Sequence, residues 1–482
     1  MSTIHIVRPR PSRPLSNFFM HLGLTILAEA LRKEDHEVRL VDLAYLDEAD
    51  YLESFAQEPP AAVMMSLMID NFQAGVELAG RLKAASPDTL VVAGGAHPTT
   101  IGARALKVAR AIDVVGLGDC IPEVLEVLRA RRGRGARGEP RVVVPGERMA
   151  AFAPVPAAAY RLWNGGRYFP VYPVELARGC PHRCPFCSDP VLQPKLEYAA
   201  PDSVLTVLED LCAEHGEVFV RFADSSFSSL GEPLERLLAG IVERGLPVHW
   251  SAYAYTTDIT PGLARTLRRS GCEALFLGVE SLSPSVITGK RFQKDPARVG
   301  VAVGMLQEQG IHVHCNLIAG LPGETEETLR HTVEALAEIA PDSIGGGPFY
   351  LTPDTTFHSR LRQFEIEILD EDWMEKLHLS YDDPTYEYFK VRGVRQQQMR
   401  AWAAEMRKLS EERGLRWNLS DYPYLCWRSA GGTREAIYAA WDEAAGGAAR
   451  PIDVDVLKEK RGVDLSIEQA RGFVPALAGL AS

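Results

Sequence analysis

Eight residues, Cys180-Pro-His-Arg-Cys184-Pro-Phe-Cys187, constrain this chain more than any other stretch. Three thiolates spaced x3 and then x2, on a loop carrying Gly179, Pro181 and Pro185, can converge on one soft metal centre. Three is one fewer than a closed zinc site or an electron-transfer cluster takes. A 4Fe–4S cubane held by three cysteines keeps one iron open to a ligand, as catalytic zinc keeps its fourth position open. A zinc loop with a distant fourth ligand, or chance clustering, are the competing readings.

The other five cysteines, Cys120, Cys212, Cys272, Cys315 and Cys426, are scattered, as buried thiols usually are. That usage predicts a reducing, cytoplasmic compartment. A chain of 482 residues has room for two or three domains. Its 46% hydrophobic and 24% charged content is that of an ordinary globular protein. No apolar run is long enough to predict a membrane span. Arg8, Arg10 and Arg13 stand among prolines with no apolar segment behind them, unlike a secretory signal. A net charge of -12 argues against a nucleic-acid partner.

Over residues 1–145, strand-like apolar runs alternate with helix-period segments. The runs are Ile4–Val7, Val38–Leu43, Ala61–Ser66, Leu90–Gly95 and Ile112–Gly118. Helices are predicted near Leu22–Arg32, Phe72–Ala85, Ala103–Ala109 and Pro122–Arg129. The alternation predicts a doubly wound, parallel, Rossmann-like sheet. Such sheets bind ligands at the carboxyl ends of their strands, so the candidate loops are Ser66–Phe72, Gly94–Thr100 and Gly116–Asp119. The Gly94-Gly95 pair lets backbone approach a ligand closely. No G-x-G-x-x-G follows the first strand, which disfavours a dinucleotide. The basic run Arg129, Arg131, Arg132, Arg134, Arg137 and Arg141 reads as a solvated connector, and the Pro/Ala-rich stretch to Pro156 as an extended crossing. Residues 146–170 are taken as the linker.

From 171 to about 365, strand and helix alternate six times. Predicted strands are Pro173–Ala177, Val218–Phe222, Val248–Tyr253, Ala274–Val279, Val313–Ile318 and Ser343–Leu351. Intervening helices include Asp202–Glu214, Pro233–Glu243 and Pro296–Gln309. These units predict a partial (β/α)6 barrel, with the cysteine loop after its first strand, at the end where barrels carry their chemistry. Residues 366–482 read as a mostly helical capping region, with helix period over Gln396–Arg413. The flanking aromatic stretches "HLSYDDPTYEYFK" and "DYPYLCW" suit a packed core. Alternatively Tyr381, Tyr386, Tyr388, Tyr422 and Trp427 close the barrel over a substrate.

With Phe186 just before its last cysteine, the loop resembles the signature of the radical S-adenosylmethionine enzymes. The first domain resembles the cobalamin-binding domain that precedes the radical domain in one subfamily. The matching stretches are the helix before "HEVRLVDL", then "VVAGGAHPTT" and "DVVGLGDCIPEVL". The resemblance implies a 4Fe–4S cluster on Cys180, Cys184 and Cys187, S-adenosylmethionine chelating the open iron, and cobalamin in the crevice. It places Phe186, Asp224, Ser225, Glu280, Ser281, Gly320 and Glu324 near S-adenosylmethionine, though Glu324 of "GLPGET" equally suits a helix start. It places Ser66, Leu67, Met68, Gly94, Gly95, His97, Pro98, Thr99, Gly116 and Gly118 around cobalamin.

Two motifs are absent, the first as is usual in the subfamily, the second as a departure from it. The D-x-H-x-x-G motif, which brings a histidine to cobalt elsewhere, is missing; Asp35-His36 and Gly95-Ala96-His97 do not fit its spacing. His97 then reads as a loop neighbour of the corrin, and the lower face is left to Leu67, Met68 and Ile69 or to water. The arginine that many relatives carry near the end of the third strand is also missing from Trp250-Ser-Ala-Tyr-Ala-Tyr255. The resemblance implies methylation of an unactivated carbon of a small-molecule or natural-product substrate, through methylcobalamin and a 5′-deoxyadenosyl radical. An electron donor such as flavodoxin or ferredoxin would serve it. Rearrangement, cyclisation and phosphorus methylation are alternatives within the family; a non-enzymatic cobalamin and cluster sensor is the alternative outside it.

Overall fold

The computed structural model describes residues 2–12, 19–131, 139–146, 152–163, 168–287 and 295–445. Arg13 and most of the basic run, from Arg132 to Arg137, lie outside the described residues, as does 446–482.

The first domain contains β1 Thr3–Arg8, α1 Leu22–Lys33, β2 Glu37–Asp42, α2 Glu48–Gln57, β3 Ala62–Ser66 and α3 Phe72–Ala85. It continues with β4 Leu90–Gly94, α4 Ala96–Ile101, α5 Arg104–Val108, β5 Val114–Gly116, α6 Ile121–Arg131 and β6 Arg141–Val143. The strands are parallel, in the order β2-β1-β3-β4-β5-β6. Ile6, Met64 and Val92 bury on one face, and Val7, Met65 and Ala93 on the other. A sheet covered on both sides reads as unbroken apolar runs, which is why these strands are visible in the sequence.

Three elements here differ from expectation. α2 buries only Tyr51 and Phe55, too thin a stripe to register, and is started by Asp47 accepting from the Ala49 and Asp50 amides. α4 begins inside an expected loop, because Gly95 at φ 109° supplies the left-handed turn before it. β6, inside the expected connector, adds an edge strand beside β5. Beyond it, a 3-10 turn over Ala157–Trp163 docks on α1 through Trp163, whose ring nitrogen donates to Thr25 Oγ1 at 2.8 Å.

The second domain runs through β7 Val171–Val174, β8 Ala177–Arg178, α7 Asp189–Leu192, β9 Glu197–Tyr198, α8 Pro201–His215, β10 Val218–Phe222 and α9 Glu232–Glu243. β11 Val248–Ala254, α10 Pro261–Arg269, β12 Cys272–Glu280, α11 Pro296–Glu308, β13 His312–Ala319, α12 Glu326–Ile339 and β14 Ser343–Pro348 follow. The parallel sheet has the order β14-β13-β12-β11-β10-β7, so β7 and β14 are its two edges and the barrel is open. On β12, Leu275, Leu277 and Val279 are buried beneath the outer helices, while inward Phe276 and Gly278 keep partial exposure. Asn316 and Ile318 repeat the pattern on β13. The upper half of the barrel is therefore hollow.

Its floor comes from the C-terminal region: α13 Thr356–Ser359, β15 Ile366–Ile368, α14 Leu379–Asp382, β16 Phe389–Val391, β17 Val394–Arg395, α15 Gln396–Glu412, α16 Asp421–Ser429 and α17 Arg434–Ala445. α16 packs Tyr424, Leu425 and Trp427 against inward Phe219 and Ala274, near the starts of their strands. Arg221 pairs with Asp421 at 3.4 Å and lies 4.3 Å over the Tyr253 ring. Tyr422 stacks on Phe19 of the first domain at 4.1 Å. Tyr422 and Trp427 thus plug the floor, and Tyr388 is sealed in the core with its hydroxyl donating to the Leu351 carbonyl at 2.8 Å. None of these three covers the mouth. The antiparallel sheet β15-β16-β17, too short to show an alternation, lies within the mostly helical region. Among the described residues no helix is long and apolar enough to cross a membrane.

Gly271, between α10 and β12, has φ 93°, and a Cβ there would stand 1.8 Å from the Val248 carbonyl oxygen. Gly271→Ala is expected to cost about 2 kcal/mol or more. Calorimetry should show the unfolding midpoint lowered by several degrees; an unchanged midpoint would contradict the strain.

Candidate active site

The cysteine loop is fixed from several sides. Asp224, after β10, accepts the Leu176 amide at 3.1 Å and the Ala177 amide at 2.6 Å. Burial raises its carboxyl pKa to about 7, against the pull of those amides. Its carboxylate therefore holds the start of the loop, whereas the sequence pointed to S-adenosylmethionine as its partner. Gly179, at φ 84°, donates to Gln193 Oε1 at 2.7 Å, and a Cβ there would meet the Lys195 carbonyl at 2.3 Å. His182 stacks on Tyr255 at 4.2 Å, with Nε2 2.9 Å from Ser229 Oγ. Ser229 donates to the Asp258 carboxylate at 2.5 Å, which makes His182 Nε2 the donor to Ser229. The Pro185 carbonyl accepts from the Phe357 amide at 2.9 Å, and the Cys187 amide donates to the Cys184 carbonyl at 3.1 Å.

Burial first, then Asp189 and the other two thiols, pushes the Cys187 thiol up to about 12. A thiolate here calls for positive charge, as an iron centre supplies. Among the described residues, no three His, Cys, Asp or Glu side chains stand close enough to share a single ion. A cubane takes its three thiolates at three separate irons, which suits this donor set better than zinc does. No other cysteine is carried by this loop: Cys272 and Cys315 lie under the outer helices, Cys426 in the floor, Cys212 on α8 and Cys120 in the first domain.

The remaining residues expected near S-adenosylmethionine divide. Ser225 faces the cavity between the domains. Phe186 is half-buried against the core shared by both domains. Glu280 adopts φ 68° after a register shift between Gly278 and Glu280, a strained turn at a strand end. With Ser281, Thr332 and Glu324 it borders a small space of about 10 Å³. Glu324 is bonded by the Thr328 hydroxyl at the start of α12, whose N-cap is Thr325, and burial raises its pKa to about 7. Glu324 stands just before the N-cap, outside the first turn, whose acids are Glu326 and Glu327. Gly320 has φ 94°, where a Cβ would strike Met399 at 2.4 Å.

At the carboxyl ends of β3, β4 and β5 lies a cavity of about 430 Å³. Ser66, Gly94, Gly95, Thr99, Gly116 and Gly118 wall it from the first domain, with Leu24, Ile26 and Leu27 of α1. Glu175, Ala177, Arg178 and Ser225 wall it from the cysteine-loop side. Two glycines are sterically required: a Cβ on Gly95 would lie 2.6 Å from the Leu67 carbonyl, and one on Gly116 2.6 Å from Cys120 Sγ. Leu67, Met68, His97 and Pro98, also expected here, do not line it. Leu67 and Pro98 turn into the core, and Met68 is 45% exposed on the outside of its loop. His97 is 3% exposed, 4.4 Å from the Phe72 ring and 6.1 Å from His378. Burial and then His378 lower its pKa to about 3. Among the described residues no histidine lines the cavity. A glycine-rolled, largely apolar space beside the cysteine loop fits a corrinoid.

Neither His182–Ser229–Asp258 nor the Arg178 contacts are legible as structural partners in the sequence, since hydrogen bonds between distant polar residues leave no periodicity. Only the aromatic Tyr255, standing near the missing arginine, hinted that this strand end is built differently.

A doubly wound domain whose crevice opens onto a three-cysteine loop at the mouth of an open barrel defines a two-cofactor radical enzyme. Residues 174–336 match the model of the Radical SAM superfamily, and residues 15–126 that of the B12 binding domain. The chain thus carries a radical SAM domain with a B12-binding domain ahead of it. Its cofactors are a 4Fe–4S cluster, S-adenosylmethionine and cobalamin. It is 25% identical over 344 residues to the uncharacterized methyltransferase PH0819 of Pyrococcus horikoshii, spanning 67% of this chain and 74% of that one. It is 25% identical over 307 residues to the anaerobic magnesium-protoporphyrin IX monomethyl ester cyclase of Cereibacter sphaeroides, covering 59% of this chain and only 50% of the cyclase. The structure of the radical S-adenosylmethionine methyltransferase TsrM from Kitasatospora setae, solved with tryptophan substrate and a S-adenosylmethionine analogue, superposes with a TM-score of 0.69. At 18% identity, over 96% of this chain and 100% of that one, the likeness shows a shared fold.

Replacing Cys180, Cys184 and Cys187 together by Ala should abolish reconstituted iron and sulfide, whereas Cys272→Ala or Cys315→Ala should retain both. Iron retained by the triple variant would contradict the assignment. In the second cofactor site, Gly95→Val should lose cobalamin. Paramagnetic resonance of cob(II)alamin in the unsubstituted protein should show cobalt lines without nitrogen splitting, unchanged by His97→Ala. Triplets that vanish in His97→Ala would make that histidine the ligand.

Proposed function

We propose that this chain is a cobalamin-dependent radical S-adenosylmethionine methyltransferase acting on a carbon of a small molecule. The observation that carries the reading is the cavity walled at once by the crevice loops and by residues flanking the cysteine loop. When bound, cobalamin supplies a transferable methyl group and the cluster with S-adenosylmethionine supplies the methyl source and one-electron cleavage. The chain's part is to hold and to shield. Asp224, Gln193, Ser229 and Phe357 fix the loop that presents the open iron. The α16 plug closes the barrel from below, so water has no path through the lumen from that end. Ser66, Gly94, Gly95, Thr99, Gly116 and Gly118 would hold the corrinoid, and among the described residues none of the cavity walls would offer it an imidazole. The methyltransferase relatives support the reaction class, and tryptophan in TsrM supports a substrate of small-molecule size. The electron donor is proposed to be a small redox protein of the flavodoxin or ferredoxin kind.

The similarity to the cyclase favours one second reading, cyclisation or rearrangement. Reduced, reconstituted protein with trideuteromethyl S-adenosylmethionine distinguishes them, with free aromatic amino acids as the first candidate acceptors. Methylation predicts a product carrying the deuterated methyl group on carbon. An unlabelled cyclised or isomerised product with 5′-deoxyadenosine would establish the second reading instead.

A further inference from the structure

Arg178 is the last side chain before Gly179 and Cys180, and it faces both domains. Its Nε donates to Glu175 Oε1 at 2.9 Å, a second nitrogen reaches the same oxygen, and Nη1 donates to Asp119 Oδ2 at 2.7 Å. Phe152 lies 4.3 Å from the guanidinium carbon, and the Arg178 side chain is 11% exposed. Glu175 belongs to the end of β7, and Asp119 to the third crevice loop.

The connection continues beyond Asp119. The adjoining Gly118 amide donates to Thr99 Oγ1 at 2.9 Å, and that hydroxyl donates to the Gly95 carbonyl at 2.8 Å. The Gly94 carbonyl in turn accepts the Leu67 amide at 2.8 Å. One guanidinium thus ties the cysteine loop to all three crevice loops. It also stands in the wall shared by the 430 Å³ cavity and a second one of about 340 Å³. A planar fork holding two carboxylates fixes distance and angle in a way a single flexible ammonium does not. The first domain does not need this contact to stay joined to the rest, because Phe19–Tyr422 at 4.1 Å and Lys107–Glu375 at 3.0 Å hold it elsewhere.

We propose that Arg178 and Asp119 form a positioning pair that sets the separation between the iron–sulfur cluster and cobalamin. The inference rests on the cofactor assignment above, but its readout requires no methyl transfer. A geometric role of this kind matters because misplacement of about 1 Å between reacting groups costs on the order of 100-fold in rate.

The test is pulsed paramagnetic resonance of the full chain loaded with both reduced cluster and cob(II)alamin, which reports the distance between them. The unsubstituted protein should give one narrow distribution. Asp119→Asn leaves the Arg178–Glu175 contact in place, so the loop should keep its iron while the distribution shifts or broadens by about 1 Å or more. Arg178→Met should do the same more strongly, and Arg178→Lys should recover part of the order. Asp119→Asn with both cofactors bound and an unchanged distribution would overturn the proposal, even if Arg178→Met failed to fold. Iron and cobalt contents of the unsubstituted protein separately report failure of the cofactor assignment.

Discussion

Three thiolates leave an iron open only if the loop that carries them is held by something other than the cluster. Here that task falls mainly to Asp224, a fully buried carboxylate spent on the Leu176 and Ala177 amides. Burying a carboxylate is costly, and the two amides offset only part of that cost, so its pKa stays raised to about 7. The remaining anchors act further along the loop: Gln193 at Gly179, Ser229 at His182 and Phe357 at Pro185. They come from different elements, so the loop's shape depends on the whole barrel being assembled.

The same economy governs the barrel interior. An open six-stranded sheet has two unpaired edges, and near its strand starts the inward side chains Phe219 and Ala274 pack against a partner from elsewhere. α16 fills the lower lumen with Tyr424, Leu425 and Trp427, and the buried Arg221–Asp421 pair fixes the helix in place. Such a pair adds little net stability against an apolar filling, yet breaking one partner strands a charge, which enforces one arrangement. The upper lumen stays hollow because inward positions there are glycines and partly exposed side chains, as at Gly278 and Gly347.

How much of this is visible in the sequence follows from burial and range. The strands of both sheets show as apolar runs because both faces are covered, and the cysteine loop shows through spacing alone. Ser66, Gly94, Gly95, Thr99, Gly116 and Gly118 line the expected crevice because strand ends and glycines mark it. Leu67 and His97 were misplaced because consecutive loop residues point to opposite sides, which no pattern of residue types reveals. β6 is three residues long and α2 buries two side chains, so neither carries enough period to be seen. Position after the second strand does not disclose that Asp224 also accepts the Leu176 and Ala177 amides. The contacts between Arg178 and Asp119, and between Arg221 and Asp421, join residues far apart in the chain, and only the folded structure brings them together.

The central claim is that this loop holds a cluster by three cysteines and offers its remaining iron to S-adenosylmethionine. Electron–nuclear double resonance of the reduced cluster tests it directly, with S-adenosylmethionine isotopically labelled at its amino nitrogen and carboxylate oxygens. The account predicts magnetic coupling from both groups to the cluster. Absence of both couplings while S-adenosylmethionine is demonstrably bound would contradict it.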